Sequence, residues 1–115
     1  MPYQVNGRTF EYMNGPGPYV VRRYAIQHPG VTLGQLQDVF ADDPHPGGFR
    51  ALVHDANEAI VIEHLEWFSA PVRLDDGTFF VVTKQWDGPT LEHFIAFSNQ
   101  LADEEGDDGY RIVEI

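Results

Sequence analysis

Cysteine is absent from this chain of 115 residues, which excludes disulfide bonds and thiolate metal sites. No apolar run approaches the ~20 residues of a membrane-spanning helix, and the N-terminus lacks the basic and then apolar stretches of a secretory signal. The only serines, Ser69 and Ser98, lie outside any Gly-x-Ser-x-Gly motif. We therefore expect a cytoplasmic protein without a serine or cysteine nucleophile.

Basic residues are scarce: seven Lys and Arg stand against 18 Asp and Glu, for a net charge of −11. The imbalance is confined to residues 51–115, with fourteen acids and three bases, since residues 1–50 carry four of each. It is densest where five carboxylates occupy six positions, at Asp103, Glu104, Glu105, Asp107 and Asp108. Such a surface repels nucleic-acid phosphates and anionic membranes, and it attracts basic protein surfaces.

The composition is that of a folded protein. Apolar residues make up 43% of the chain and aromatic residues 13%, whereas disordered acidic tails are poor in aromatics. A chain of this length forms one core, so we expect a single domain over residues 1–115.

Turn and cap signals organise the N-terminal part. Asn6-Gly7 supplies the positive φ angles of a type I′ turn and predicts a β-hairpin over residues 3–10. A helix is predicted over 18–27, with a proline in its first turn. Thr32 and Gln35 form a capping box that begins a second helix.

The segment 49–68 supports two interpretations. A strand at 49–54 is favoured. After it, Asp55 can cap a helix, but the β-branched run at 59–62 is equally typical of a buried strand. The sequence leaves this choice open.

The C-terminal part predicts a hairpin, a helix and a strand. A second hairpin at 71–84 turns at an Asp-Asp-Gly sequence, and its arm 79–83 is apolar on both faces, as in a central strand. Thr90 can cap a helix that runs to about Ala102, and residues 110–115 form a closing strand. The predicted fold is a single α+β domain with a mostly antiparallel sheet and about three helices. Its expected core includes Val21, Tyr24, Leu36, Phe40, Val82, Phe94, Ile95, Leu101 and Ile112.

Short motifs recur in order along the second half: Glu66-Trp67-Phe68, Leu74-Asp75-Asp76-Gly77, Val82-Thr83-Lys84-Gln85-Trp86-Asp87-Gly88, Phe94-Ile95 and Gly109-Tyr110-Arg111-Ile112. Together they resemble a recurrent small domain of bacteria and phages, with the pattern L-x-D-G, V-x-T-x-Q-W-x-G, F-I and G-Y-x-I. The resemblance implies structural roles for these positions and no activity. Relative to that pattern, residues 102–108 are an insertion.

Candidate sites for chemistry are few. His54, His64, His93 and Glu63 could converge on a metal, but they show no His-Glu-x-x-His spacing. The segment 103–109 has the acids of a calcium loop without its alternating ligands or terminal glutamate. We therefore predict no catalytic residue, no metal and no cofactor.

Direct DNA binding is also disfavoured. Two early helices joined at 28–30, with the 71–84 hairpin as a wing, would resemble a helix-turn-helix, but residues 41–66 hold one Arg and no Lys against six acids. Trp67 and Trp86 are either exposed binding anchors or residues that close a core.

The acid cluster is the main functional candidate. If the last helix reaches Glu105, then Asp103, Glu104 and Glu105 crowd its negative end, an unfavourable position for acids with no visible compensation. We expect these three, with Asp107, Asp108 and Glu92, to bind a partner and to contribute nothing to folding.

The sequence thus predicts a small, acidic, non-enzymatic inhibitor or modulator. Its carboxylates would stand in for phosphates on a basic, nucleic-acid-binding protein, as in a DNA mimic of anti-restriction or anti-CRISPR type. The alternative is a protein-interaction accessory module of a bacterial defence or regulatory system, with charge serving solubility. A small metal-dependent enzyme is a third, weaker interpretation.

Overall fold

The computed structural model describes residues 2–40 and 52–115. In chain order its elements are β1 (Tyr3–Val5), β2 (Arg8–Phe10), α1 (Pro16–Gln27), α2 (Leu33–Val39), β3 (Val53–Asp55), α3 (Ala59–Glu63), a 3₁₀ turn (Leu65–Trp67), β4 (Val72–Arg73), β5 (Phe79–Val82), α4 (Gly88–Glu105), a second 3₁₀ turn (Asp108–Tyr110) and β6 (Ile112–Glu114).

The strands form two antiparallel sheets of three strands each. In the first, β1 lies between β2 and β6, and in the second, β5 lies between β3 and β4. The α+β class is confirmed, and so is the central position of β5. The described residues hold four α-helices, because a short helix occupies part of the segment that the sequence left open.

One large apolar cluster joins both sheets to α1, α2 and α4. Seven of the nine residues predicted for the core are buried in it, while Tyr24 and Ile95 are partly buried and pack against it. Side chains alternate along a strand, so Val81 of β5 faces away from this cluster. There it forms a smaller cluster with Val61 and Phe68.

The predicted Asn6-Gly7 turn and the predicted capping box of Thr32 and Gln35 are both confirmed. Asn6 and Gly7 have φ angles of 51° and 78°, and β1 and β2 pair around them. At the start of α2, Thr32 Oγ1 accepts the Gln35 N–H at 3.2 Å, and Gln35 Oε1 accepts the Thr32 N–H at 3.0 Å. Each bond joins groups three residues apart, which is why the sequence alone predicts it.

In the first half of the described residues, one predicted boundary is wrong and one open alternative is resolved. Helix α1 begins at Pro16, two residues before Pro18, because both prolines fit the first turn, where an N–H needs no partner. Residues 59–63 form a helix, so a strand at 59–62 is wrong. The chain turns after Asp55, whose carboxylate accepts the Asn57 N–H at 2.8 Å. Packing of Val61 in the smaller cluster then overrides its β propensity.

The favoured strand at 49–54 is partly confirmed. Its residues 49–51 lie outside the described part of the chain, and the strand itself is Val53–Asp55. The segment 42–48, whose prolines and glycines predict a loop, also lies outside the described residues. At the other end of the chain, the closing strand is shorter than predicted. Tyr110 belongs to a 3₁₀ turn, and only Ile112–Glu114 pairs with β1.

Helix α4 differs from its prediction at both ends. Asp87, and not Thr90, is the N-cap: its Oδ1 accepts the Thr90 N–H at 2.8 Å. The helix continues past Ala102 to Glu105, where Gly106 adopts a left-handed conformation with φ 63°. The Asp107 N–H then bonds the Ala102 carbonyl at 3.0 Å, which is the Schellman arrangement of a helix end. Across the described ranges, no helix combines the length and the apolar character that a bilayer crossing requires.

Candidate functional site

The predicted acid cluster lies at the C-terminal end of α4. One face of this helix is buried through Leu91, Phe94, Ser98, Leu101 and Ala102. Ser98 is a buried packing residue, and its hydroxyl donates to the Tyr110 carbonyl. The end of α4 therefore rests on the core, and the acids that follow are held at a defined place on the surface.

The five acids divide into two groups. Asp107 and Glu105 face α1, with 27% and 30% of their side chains exposed; we call them the inner acids. Asp103 and Asp108 are 72% and 89% exposed, and Glu104 is exposed as well; we call these three the outer acids. The sequence gives no sign of this division, because all five are adjacent in it.

Asp107 forms the centre of a clasp between α1 and the end of α4. Arg23 Nη2 donates to both carboxylate oxygens at 2.9 Å, and Arg23 Nε donates to Oδ2 at 3.3 Å. The Gly109 N–H donates to Oδ1 at 2.9 Å. An added Cβ at Gly109 would lie 2.2 Å from the guanidinium, so glycine is needed for this approach. We call Arg23, Asp107 and Gly109, with Tyr110 beneath them, the Arg23 clasp.

The clasp shifts the ionisation of its members. Hydrogen bonds from Arg23 and then Gly109 hold the pKa of Asp107 below its usual value. The bond to Asp107 raises the pKa of Arg23. Burial, followed by the charges of Asp107 and Glu105, raises the pKa of Tyr110 to about 12. The Tyr110 ring lies 5.7 Å from the guanidinium carbon of Arg23. Asp107 and Arg23 are therefore charged at neutral pH, and Tyr110 is neutral.

Glu105 faces His28, the residue that follows the last turn of α1. Its carboxylate contacts the ring nitrogen of His28, whose ring packs on Tyr24 with centroids 3.9 Å apart. Burial, and then the charge of Glu105, raises the pKa of Tyr24. Both inner acids thus join α4 to α1.

The outer acids share one cation. Arg111 Nη2 lies 2.8 Å from Asp103 Oδ1 and 3.2 Å from Asp108 Oδ1, while Glu104 accepts a bond from Gln100 at 3.0 Å. Three carboxylates and one guanidinium leave two negative charges exposed here. The prediction that the acids at this helix end lack compensation is wrong, because Arg23, His28 and Arg111 approach them in the fold.

Glu92, the sixth predicted partner-binding residue, is not part of this cluster. It lies on α4 eleven residues before Asp103, which is about 16 Å along a helix axis. Burial, followed by the charge of Glu114 and then that of Glu92, raises the pKa of Tyr3. The partner-binding role of all six acids stays a prediction.

His54, His64 and the two tryptophans have local partners. His54 Nδ1 lies 3.0 Å from Glu58 Oε2, and His64 stacks on Trp67 at 3.7 Å between centroids. Residues 2–40 and 52–115 contain no group of three His, Asp or Glu side chains placed to hold a metal ion. Trp67 packs on the smaller cluster and Trp86 on the larger one, so both help to close a core.

A cleft of about 460 Å³ opens beside α1, and Arg23 is not among the residues that line it. It lies between the first hairpin, the start of α1, and the segment from Ser69 to β4. Its lining includes Arg8, Arg22 and Arg73, which we call the arginine cleft. Sequence reasoning missed this site, since the three arginines are far apart in the chain and belong to no motif. The one available signal was that four bases lie among only four acids in residues 1–50.

The chain matches no protein-family model, no curated protein and no solved structure. The family resemblance therefore stays a prediction.

Proposed function

We propose that this protein is a non-enzymatic modulator that binds a basic protein surface through the outer acids Asp103, Glu104 and Asp108. One observation supports the proposal: after the pairing seen among the described residues, this site keeps two negative charges on side chains that water can reach. The inner acids Asp107 and Glu105 contact Arg23 and His28 of the same chain, and they hold the end of α4 against α1.

The outer acids are suited to recognition because they are held in place. Arg111 contacts both Asp103 and Asp108, and the Schellman bond fixes the chain that joins them to α4. Carboxylates in fixed positions lose little freedom on binding. Their field also accelerates association with a cationic partner. A nucleic-acid-binding protein presents such a surface, and these carboxylates then stand in for phosphates.

The same charge argues against direct nucleic-acid binding. The phosphate backbone is repelled by a chain of net charge −11. The nucleic-acid-binding protein, and not the nucleic acid, is therefore the proposed partner, as in an inhibitor of anti-restriction or anti-CRISPR type.

A second candidate function is an accessory module that docks through apolar contacts. It is favoured by Ile62 and Leu65, which are 59% and 68% exposed beside the smaller cluster. Contacts of this kind bury apolar area and depend little on salt, whereas contacts between charges weaken as salt rises.

Two variants of equal charge test the proposal. The outer-acid variant carries Asp103→Asn, Glu104→Gln and Asp108→Asn. Its control carries Glu11→Gln, Asp38→Asn and Glu63→Gln, three exposed acids with no ion pair among the described residues. Each immobilised protein is exposed to nuclease-treated cell lysate, and association of any purified retained protein is measured at two salt concentrations.

We expect the control variant to retain the same basic protein as the wild type. The outer-acid variant should associate more slowly and with a weaker dependence on salt. Equal retention by both variants would refute the proposal. Retention that is instead lost in Leu65→Ser, with little salt dependence, would identify the docking module.

A further inference from the structure

We propose that the arginine cleft binds a small organic anion whose carboxylate or phosphate is attached to an apolar or aromatic group. This goes beyond the proposed function, because the cleft carries the opposite charge to the outer acids and lies on another face of α1. Three observations support it: the charges that meet there, the apolar surface between them, and the donors that remain available.

The concentration of positive charge is the first observation. The structure describes six Lys and Arg residues, and three of them line this one cleft. Of the other three, Arg23 and Arg111 are paired with carboxylates. Among the residues that the structure describes, which include 16 of the 18 acids, no Asp or Glu lines the cleft.

None of Arg8, Arg22 and Arg73 forms an ion pair within residues 2–40 and 52–115. Like charges in one cleft repel one another, and an anion bound between them relieves that repulsion. In so acidic a chain, three arginines that share a cleft and find no acidic partner in the described ranges indicate an external anion.

Apolar surface is the second observation. The cleft is bordered by Phe10, Pro18, Val72 and Phe80. The Phe10 ring is fixed on its sides: it packs edge-on against Tyr19 at 5.6 Å, and Gly15 approaches it so closely that an added Cβ would lie 2.4 Å from Cδ1. The guanidinium of Arg8 lies 5.2 Å from its centroid. A ligand therefore needs an apolar part as well as a charge, and the volume matches sites for small molecules.

Donors are the third observation. Guanidinium groups present paired N–H donors that match a carboxylate or a phosphate. Ser69 Oγ accepts the Val82 N–H at 2.9 Å, and its own hydrogen has no acceptor in the part of the chain that the structure describes. It can donate to a bound anion.

An NMR titration of the isotope-labelled protein tests this proposal with four probes. Benzoate and phenyl phosphate join the same ring to the two anions, benzyl alcohol removes the charge, and inorganic phosphate removes the ring. We expect one or both aromatic anions to shift the amides of Phe10, Tyr19, Ser69 and Arg73, and to bind at least tenfold more tightly than either control probe. The tighter aromatic anion identifies a carboxylate or a phosphate as the natural group.

Matched variants locate the binding. Arg22→Gln with Arg73→Gln should weaken it by roughly tenfold or more, since each removes a charge-assisted pair of donors. Lys84→Gln removes the same kind of charge outside the cleft, and it should change affinity by less than about twofold. Arg8→Gln gives an independent loss if the double variant does not fold.

The proposal is overturned by any of three results: no shifts at the cleft, equal binding of benzyl alcohol and benzoate, or equal affinity in the arginine variants and Lys84→Gln.

Discussion

Two adjacent residues of α1, Arg22 and Arg23, place their guanidinium groups in different surroundings. Arg23 is half-buried in the clasp, with both carboxylate oxygens of Asp107 at 2.9 Å. Arg22 is exposed and lines the arginine cleft, where the described residues give it no acidic partner. Consecutive side chains on a helix point about 100° apart, so the two guanidinium groups reach different faces. One arginine holds the fold together, and the other is available to a ligand.

The acids at the end of α4 show the same division. Asp107 is enclosed by α1, whereas Asp108, the next residue, is 89% exposed. Net charge therefore describes this protein poorly. The charges that a partner or ligand could contact are those left unpaired among the described residues, and they form a cationic cleft beside α1 and an anionic end of α4.

The largest expected difference is between the two arginines. Arg23→Gln should destabilise the protein by about 1–2 kcal/mol, because it removes a bidentate ion pair and leaves the half-buried carboxylate of Asp107 without a cationic partner. Arg22→Gln should change the free energy of unfolding by less than about 0.5 kcal/mol, as is usual for an exposed side chain. Urea denaturation of the two variants measures both values, and equal losses would remove the distinction.

The same pair predicts a pH dependence. Arg23 lowers the pKa of folded Asp107 below its ordinary value of 3.8. The stability that this shift contributes is fully present above the pKa of the unfolded chain, and it is lost as pH falls through the lower pKa of the folded state. The disadvantage of Arg23→Gln relative to the wild type should thus shrink progressively as pH falls below 3.8. A constant gap in melting temperature across that range would contradict the assignment.

Tyr110 should give an effect of intermediate size. Its hydroxyl is buried and has no hydrogen-bond partner among the described residues. Tyr110→Phe removes this unsatisfied group and should stabilise the protein by roughly 1 kcal/mol at neutral pH.

Alkaline pH sharpens this prediction. Since the folded pKa is raised to about 12 from 10.0, the unfolded chain loses its proton first, and wild-type stability falls as pH rises between these values. Thermal melts of Tyr110→Phe should show a smaller fall, since the raised pKa values of Tyr3 and Tyr24 still contribute. Tyr12→Phe is the control, because Tyr12 is 76% exposed. A large loss of stability at neutral pH would instead reveal a partner for the hydroxyl.

The smallest effect should come from the outer acids. Changing Asp103, Glu104 and Asp108 to amides should alter stability by less than about 0.5 kcal/mol, because exposed ion pairs contribute little. Adding Asp107→Asn should introduce a loss like that of Arg23→Gln. This replaces the sequence-based expectation that all five acids can be neutralised without cost. Melting of the two variants side by side tests it, and equal stability would restore that expectation.

Local signals made much of the fold predictable. The Asn6-Gly7 turn, the Thr32–Gln35 capping box and the Asp-Asp-Gly hairpin each depend on residues within a few positions of one another. The sequence could not choose between helix and strand at 59–63, because β-branched residues there pack on Phe68 and Val81, and that contact decides their conformation. The same holds for the Asp87 cap, where Thr90 was an equally suitable residue.

The sequence predicts only part of the two candidate binding surfaces. The excess of acids after residue 51 and its densest run are visible there, because they are matters of composition. The sequence cannot say which charges remain free, since Arg23 and Asp107 are 84 residues apart and meet only when α1 packs against the end of α4. Nor can it bring Arg8, Arg22 and Arg73 to one cleft, which requires the first hairpin, α1 and the second sheet to pack together. The free energy of each of these contacts depends on burial and close approach, and only the tertiary structure supplies them.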